Sequence, residues 1–346
     1  MLEGNLLLPL PCLIHHKILT LSAANDPEST RLRYPIPMPP KRAFDAELNT
    51  LESLRDATSE QALPHLIKAL SLRNNFLVAK AATLAQHHNL TTLTQQLAEA
   101  FPRFLTDGKK SDPQCWAKNA IAKALAHFEY QDPDFFLTGI HHRQPEPVWG
   151  GEEDTAGTLR GICTLALVQC RTVNSHTLLQ HLVPLLADEV LSVRVNAARA
   201  IEQTGTDSSA LLLRLRAELA SDAPELLGAC YSGVLSLEGP GSIPWAARFL
   251  PPEDDAAAEA AMAIAQTHTT EAVELLKSTH IRARDLWFRK AVLSALALTR
   301  QQTATDYLLH LIEQDTEAVD AQEALCLAAP TQETRARLKA LGRPCS

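Results

Sequence analysis

The chain has 346 residues, 46% of them hydrophobic but only 5% aromatic, which argues against a β-sandwich and suits helices packed closely through alanine and leucine. A formal net charge of -8 and a pI near 5.9 offer no general attraction for a phosphate backbone, so nucleic acid is not expected as a partner. Seven cysteines, at 12, 115, 163, 170, 230, 326 and 345, are scattered without a C-x-x-C, so neither a disulfide framework nor a thiolate zinc site is expected; with no membrane-length apolar run, a reducing cytoplasm is the expected home.

Residues 1–43 stand outside the pattern that follows. Leu6–Ile14 has the length of a short signal h-region and Ser22, Ala23 and Ala24 could form a cleavage site, but Glu3 is the only charge before it and Pro9 and Pro11 interrupt it. Pro35, Pro37, Pro39 and Pro40 mark an extended lead, so a disordered or spurious extension is expected, with Met38 as the natural start.

Helical patterning begins near Phe44, and one column repeats through it: a small residue followed by an aliphatic one. The pairs are Thr83-Leu84, Ala124-Leu125, Ala166-Leu167, Ala200-Ile201, Gly233-Val234, Ala263-Ile264, Ala295-Leu296 and Ala324-Leu325, at steps of 41, 42, 34, 33, 30, 32 and 29 residues. Helix breakers fall between them, among them Asp132-Pro133, Thr204-Gly205 and Pro251-Pro252. A small residue lets neighbouring helix backbones approach where a larger one would splay them. About eight helix pairs over 44–346 follow, with 44–60 and Thr331–Leu341 as caps.

The clearest unit is His181–Gly205. Leu182, Leu185 and Leu186 form one apolar stripe, and Val193, Ala197, Ala200 and Ile201 form a second at helical spacing. Asp188 lies in the turn, with Arg194 six residues on. This unit resembles a HEAT repeat of the phycobilisome-lyase type, and Asp188 and Arg194 match the acid and base with which that family ties successive turns. The resemblance implies an all-α superhelix, or solenoid. Most other units lack the acid and base pair, so a regular polar ladder is not expected. The period of 34 and the tryptophan-leucine-glycine pattern of tetratricopeptide repeats are both missing.

The two long steps place extra residues between the first and second helices of units two and three, at 106–114 and 139–154. Extra residues in corresponding places emerge on one side of an array, so these loops should be neighbours. The second holds His141, His142, Arg143, Glu146, Trp149 and Glu152, stiffened by Pro145 and Pro147 and given a sharp return by Gly150 and Gly151. A stiff loop bearing one tryptophan among mixed charges suits a partner-binding anchor: Trp149 as apolar anchor, His141, His142 and Arg143 as donors, Glu146 and Glu152 as acceptors. The competing structural reading folds Trp149 back over the flank and leaves the carboxylates to charge a helix N-terminus.

No metal or other cofactor is expected. Adjacent histidines point apart, no H-x-x-H, H-x-x-x-H or H-E-x-x-H occurs, and the His-Glu dipeptides that hold iron in the HEAT-built deoxyhypusine hydroxylases are missing. There is no G-x-S-x-G and no Gly-rich phosphate loop, so catalysis is not expected either. Arg103, Lys109, Lys110, Lys118, Lys123 and Arg143 make 103–143 locally basic, and Trp287 among Arg282, Arg284, Arg289 and Lys290 reads first as a packed tryptophan under arginines and otherwise as a second contact patch. The expected function is therefore a non-catalytic protein scaffold or adaptor, docking a protein on its concave face and on loops 106–114 and 139–154. The alternative is a small-molecule, metal or catalytic site in loop 139–154.

Overall fold

The expected helix pairs form, one after another, with a single departure in the middle of the third. The computed structural model describes residues 41–219 and 221–345; residues 1–40, with the expected extension and the expected start at Met38, lie outside them. Residues 43–346 make one compact unit. After α1 (Lys41–Ser53), unit one pairs α2 (Ser59–Leu70) with α3 (Asn75–His87). Unit two runs α4 (Thr94–Ala100), the short α5 (Gly108–Ser111) and α6 (Trp116–His127). Unit three runs α7 (Pro133–His141), strands β1 (Pro145–Val148) and β2 (Gly151–Asp154), and α8 (Gly157–Val168). The remaining pairs are α9 (Ser175–Leu182) with α10 (Leu191–Gln203), α11 (Asp207–Glu218) with α12 (Pro224–Glu238), and α13 (Ile243–Ala246) with α14 (Asp255–Ala265). Last come α15 (Thr270–Arg282) with α16 (Leu286–Leu298), α17 (Gln302–Glu313) with α18 (Ala318–Leu327), and the closing α19 (Gln332–Ala340).

The starts are written in the sequence. Thr58 caps α2 in a reciprocal box with Gln61, and Asn74, Asn174, Asp254 and Asp285 each accept a backbone N–H in the first turn of α3, α9, α14 and α16. Every member of the small-then-aliphatic column falls on a second helix, from Leu84 on α3 to Leu325 on α18. Each second helix packs on the second helix of the next unit and on the first helix of its own, so the buried alanines and leucines make one continuous core. Each fully buried leucine contributes roughly 1.5–3 kcal/mol relative to leaving it in water, and no unit could bury its stripe alone. This is a HEAT-like α-solenoid.

The polar ladder is more regular than expected. Arg160 donates to Asp188 from Nε at 3.0 Å and from Nη2 at 2.8 Å, both side chains being almost wholly buried. Arg194 reaches the Asp188 carbonyl at 2.8 Å and the Asp222 carboxylate at 2.8 Å; Arg289 reaches both carboxylate oxygens of Glu317 at 2.7 and 3.0 Å. In all three pairs the acid lies 28 residues beyond the base, in the following unit. Seeking both partners within one unit hides them.

Two further expectations are corrected. Cys326, on α18, and Cys345, in the tail, form a disulfide with Cα atoms 5.5 Å apart, where Gln322 Nε2 also donates to the Pro344 carbonyl at 3.1 Å. The tail turns back past α19 onto α18, a return that cysteine spacing does not reveal. Trp287 is not packed under arginines: it is 53% exposed, Arg282 and Arg284 lie before α16, and Arg289 turns to Glu317.

Candidate functional site

Loop 139–154 is a β-hairpin. β1 and β2 pair antiparallel with Pro145 opposite Asp154 and Val148 opposite Gly151, leaving Trp149 and Gly150 as a two-residue turn. Gly150 takes φ +96°, which glycine adopts without the Cβ penalty. Pro145 and Pro147 alternate on a strand with no outer neighbour, where the missing N–H is harmless. Trp149 therefore stands at the tip with its whole side chain exposed, at 105% relative to a reference residue, and Val148 beside it is 45% exposed. It does not fold back over the flank.

The base is tied into the array by buried polar groups. Asp112 and Lys118 are fully buried and lie 3.2 Å apart. Lys118 Nζ also donates to the Phe104 carbonyl at 2.9 Å, while the Asp112 carboxylate accepts the N–H groups of Ala117 and Lys118 and the Asn75 amide. Gln144 bridges this pair to the hairpin: its Nε2 donates to the Asp112 carbonyl at 2.9 Å and to Glu146 Oε1 at 2.7 Å. Glu146 Oε1 further accepts from Thr155 at 2.8 Å and from the backbone N–H of Gln114 at 2.7 Å. Against the upward push of burial, these donors hold the Glu146 carboxyl below the usual glutamate range. Gln114 and Cys115 are both in the left-handed region, and this strained turn opens α6. The two inserted loops are neighbours, as expected.

Each candidate residue has a definite place. His141 ends α7 and is exposed. His142 is half-buried, its Nε2 3.2 Å from Gln144 Oε1, and burial, with Lys118 and Arg160 nearby, pushes its imidazole below the usual histidine value. Arg143 is half-exposed and donates to Asp188 at 2.8 Å. Glu152 is exposed, 3.5 Å from Lys109. Asp154 joins the ladder through Arg160 at 2.5 Å and accepts the Ala156 N–H at the head of α8. The hairpin thus presents Trp149 and Glu152 outward, with His141 exposed at the end of α7 before it, and turns Glu146 inward. Among the described residues no three histidine, cysteine or carboxylate side chains converge as a metal-ligand set.

Sequence reasoning missed Asp112, Lys118 and Gln144. The signal was present: Asp112 and Lys118 are six residues apart, like Asp188 and Arg194, and Lys118 and Glu146 repeat the 28-residue ladder spacing. It also missed a trough on a face of α3, α6 and α8 that no described residue covers, a cavity of about 630 Å³. The basic stretch at 103–143 is correspondingly reduced, since Lys118 is buried and Arg103 donates to the Leu70 and Leu72 carbonyls.

A helical-repeat solenoid with a hairpin raised from its third unit is the class of protein this geometry defines. No family model and no curated protein matches the chain. Among solved structures it is similar to the complex of CpcE and CpcF of phycocyanin lyase from Nostoc sp., at 17% identity over 69% of this chain and 92% of that one, with a TM-score of 0.36. It is also similar to human deoxyhypusine hydroxylase in complex with glycerol, at 18% identity over 76% of this chain and 92% of that one, with a TM-score of 0.29. Likeness at this level concerns the fold and carries no activity across. It does correct one expectation: a lyase and a hydroxylase are enzymes, so a helical array of this kind gives no ground for setting catalysis aside. Among the described residues no helix is long and apolar enough to cross a membrane.

Proposed function

We propose that the array is a protein-docking scaffold whose partner is held by the hairpin at 145–154, the turn at 106–114 beside it and the uncovered face of the second helices. One observation carries this reading: Trp149, a large apolar side chain, is wholly exposed at the tip of a hairpin whose base is fixed by Gln144, Glu146 and Asp154. A preorganised tryptophan loses little conformational freedom on binding, and tryptophan is among the residues that carry most of the binding energy at interfaces. In this reading Trp149 is the anchor, with His141, Arg143 and Glu152 as its polar rim. Glu146 and His142 act through the hairpin, holding its shape.

The test compares quantitative affinity capture from native lysate by the full chain and by a variant carrying Trp149→Ala and Glu152→Lys. Both side chains are exposed, so circular dichroism of the two forms should coincide. A specific protein held by the first and lost from the second supports the reading; identical capture by both removes the hairpin from it.

A further inference from the structure

The face of the second helices that the described residues leave uncovered changes character along the array. On α3, α6 and α8 it forms the open trough of about 630 Å³, floored by Phe76, Trp116, Ala120 and Ile162 and flanked by Lys80 and Lys123. Phe76 and Trp116 meet at 5.5 Å between ring centroids, and Trp116 is still 46% exposed. Trp116, Ala120 and Lys123 recur at i, i+4 and i+7 on α6, and Phe76, Lys80 and Thr83 do the same on α3, so each row runs along one side of its helix. Lys80 has a long contact with Glu52 at 3.6 Å, and Lys123 is exposed with no ion-pair partner among the described residues. From the next unit on, the same face turns acidic. Glu202, Glu225 and Glu259 surround a cavity of about 340 Å³ with Arg199, and burial together with Glu225 raises the Glu259 carboxyl.

We propose that the trough of α3, α6 and α8 receives an amphipathic helix of a partner protein, with bulky apolar residues on one face and carboxylates beside them. An apolar floor with two lysines favours such a segment, and the acidic stretch on α10, α12 and α14 repels it from the next position along. Three packed helices span about 20 Å, which a helix of about 14 residues crosses with anchors at i, i+3 or i+4, and i+7. The trough shares one connection with the hairpin: Glu146 holds the Gln114 N–H, and Gln114 Oε1 accepts from Trp116 Nε1 at 3.3 Å. The proposal rests on the docking reading, since the trough lies on the second-helix face included there, but Trp149 takes no part in it and its failure would leave the hairpin standing as the docking site.

The probe is a random peptide library of about 16 residues, selected on the full chain and counter-selected on Ala120→Arg, whose side chain would fill the floor. Enriched peptides should be net acidic with helical apolar spacing. By fluorescence anisotropy they should lose about tenfold in affinity or more on Lys123→Glu, as expected for a desolvated charge contact, and nothing on Trp149→Ala. Circular dichroism of Ala120→Arg and Lys123→Glu must match that of the parent chain. Basic or patternless peptides, no enrichment that depends on Ala120, or peptides indifferent to Lys123→Glu would overturn the proposal. So would a change of sedimentation by Ala120→Arg alone, which would make the trough an interface between copies of this chain.

Discussion

Asp188→Ala should be the most damaging single substitution of a polar side chain in the ladder. Asp188 accepts from Arg160 Nε at 3.0 Å and Nη2 at 2.8 Å, from Arg143 Nη2 at 2.8 Å, and from the Val190 N–H at 2.9 Å. The substitution leaves the Arg160 guanidinium 1% exposed, held by Asp154 and the His142 carbonyl alone. Stranding one member of a buried ion pair costs roughly 3–5 kcal/mol, and the surviving Asp154 contact places the effect near the lower end, at about 3 kcal/mol. The exposed pair of Arg171 and Glu129, 3.9 Å apart, is the control: Glu129→Ala should stay within about 1 kcal/mol of the parent. Urea unfolding followed by circular dichroism reads both. Adding Arg160→Met to Asp188→Ala should recover stability, because it removes the stranded charge. If Asp188→Ala destabilises no more than Glu129→Ala, or if Arg160→Met adds a further loss, the ladder does not couple the units as described.

Other outcomes follow from the same contacts. Glu146→Ala should cost about 1.5–3 kcal/mol through three lost bonds to a charged acceptor, with faster hydrogen exchange at Gln114 and Thr155 and unchanged exchange in α17; uniform protection would refute its role as the tie. Cys345→Ser should cost about 3 kcal/mol in α18 and α19, since the disulfide closes a separation of 19 residues, and exchange confined to those helices is the check. Burial lowers the folded value of His280 from 6.5, so the neutral form's stabilisation is complete above pH 6.5 and declines as pH falls toward the folded value. Glu317, held low by Arg289, keeps its contribution until still lower pH. His280 lies on α15, between Tyr307 of α17 at 2.8 Å and Glu317 at 2.7 Å, so His280→Gln should flatten the pH dependence of α15–α18 stability just below 6.5, and an unchanged slope would contradict this.

The solenoid was legible because its signal is local. One small residue and one aliphatic residue per unit mark where backbones touch, and those pairs fall on α3, α6, α8, α10, α12, α14, α16 and α18. The ladder was not, because Arg160 and Asp188 belong to different units and only stacking brings them together. The hairpin was half legible. Pro145, Pro147, Gly150 and Gly151 announced a stiff loop with a sharp return, but two prolines hide a strand whose outer edge needs no donor. Glu146 looked like a surface acceptor by type; its inward role depends on Gln144 and the Gln114 turn, which chain order does not connect. The trough was hidden for a related reason, since Phe76 and Trp116 lie 40 residues apart and meet only when α3 packs on α6.

Photocrosslinking from the hairpin tip tests the central claim most directly. A benzophenone amino acid replaces Trp149 in one form of the full chain and the exposed Arg335 of α19 in another, and both are irradiated in native lysate. The account predicts a discrete adduct to one protein from position 149, absent from position 335 and suppressed when the unlabelled parent chain is added in excess. No adduct from 149, or the same smear from both positions, would contradict it.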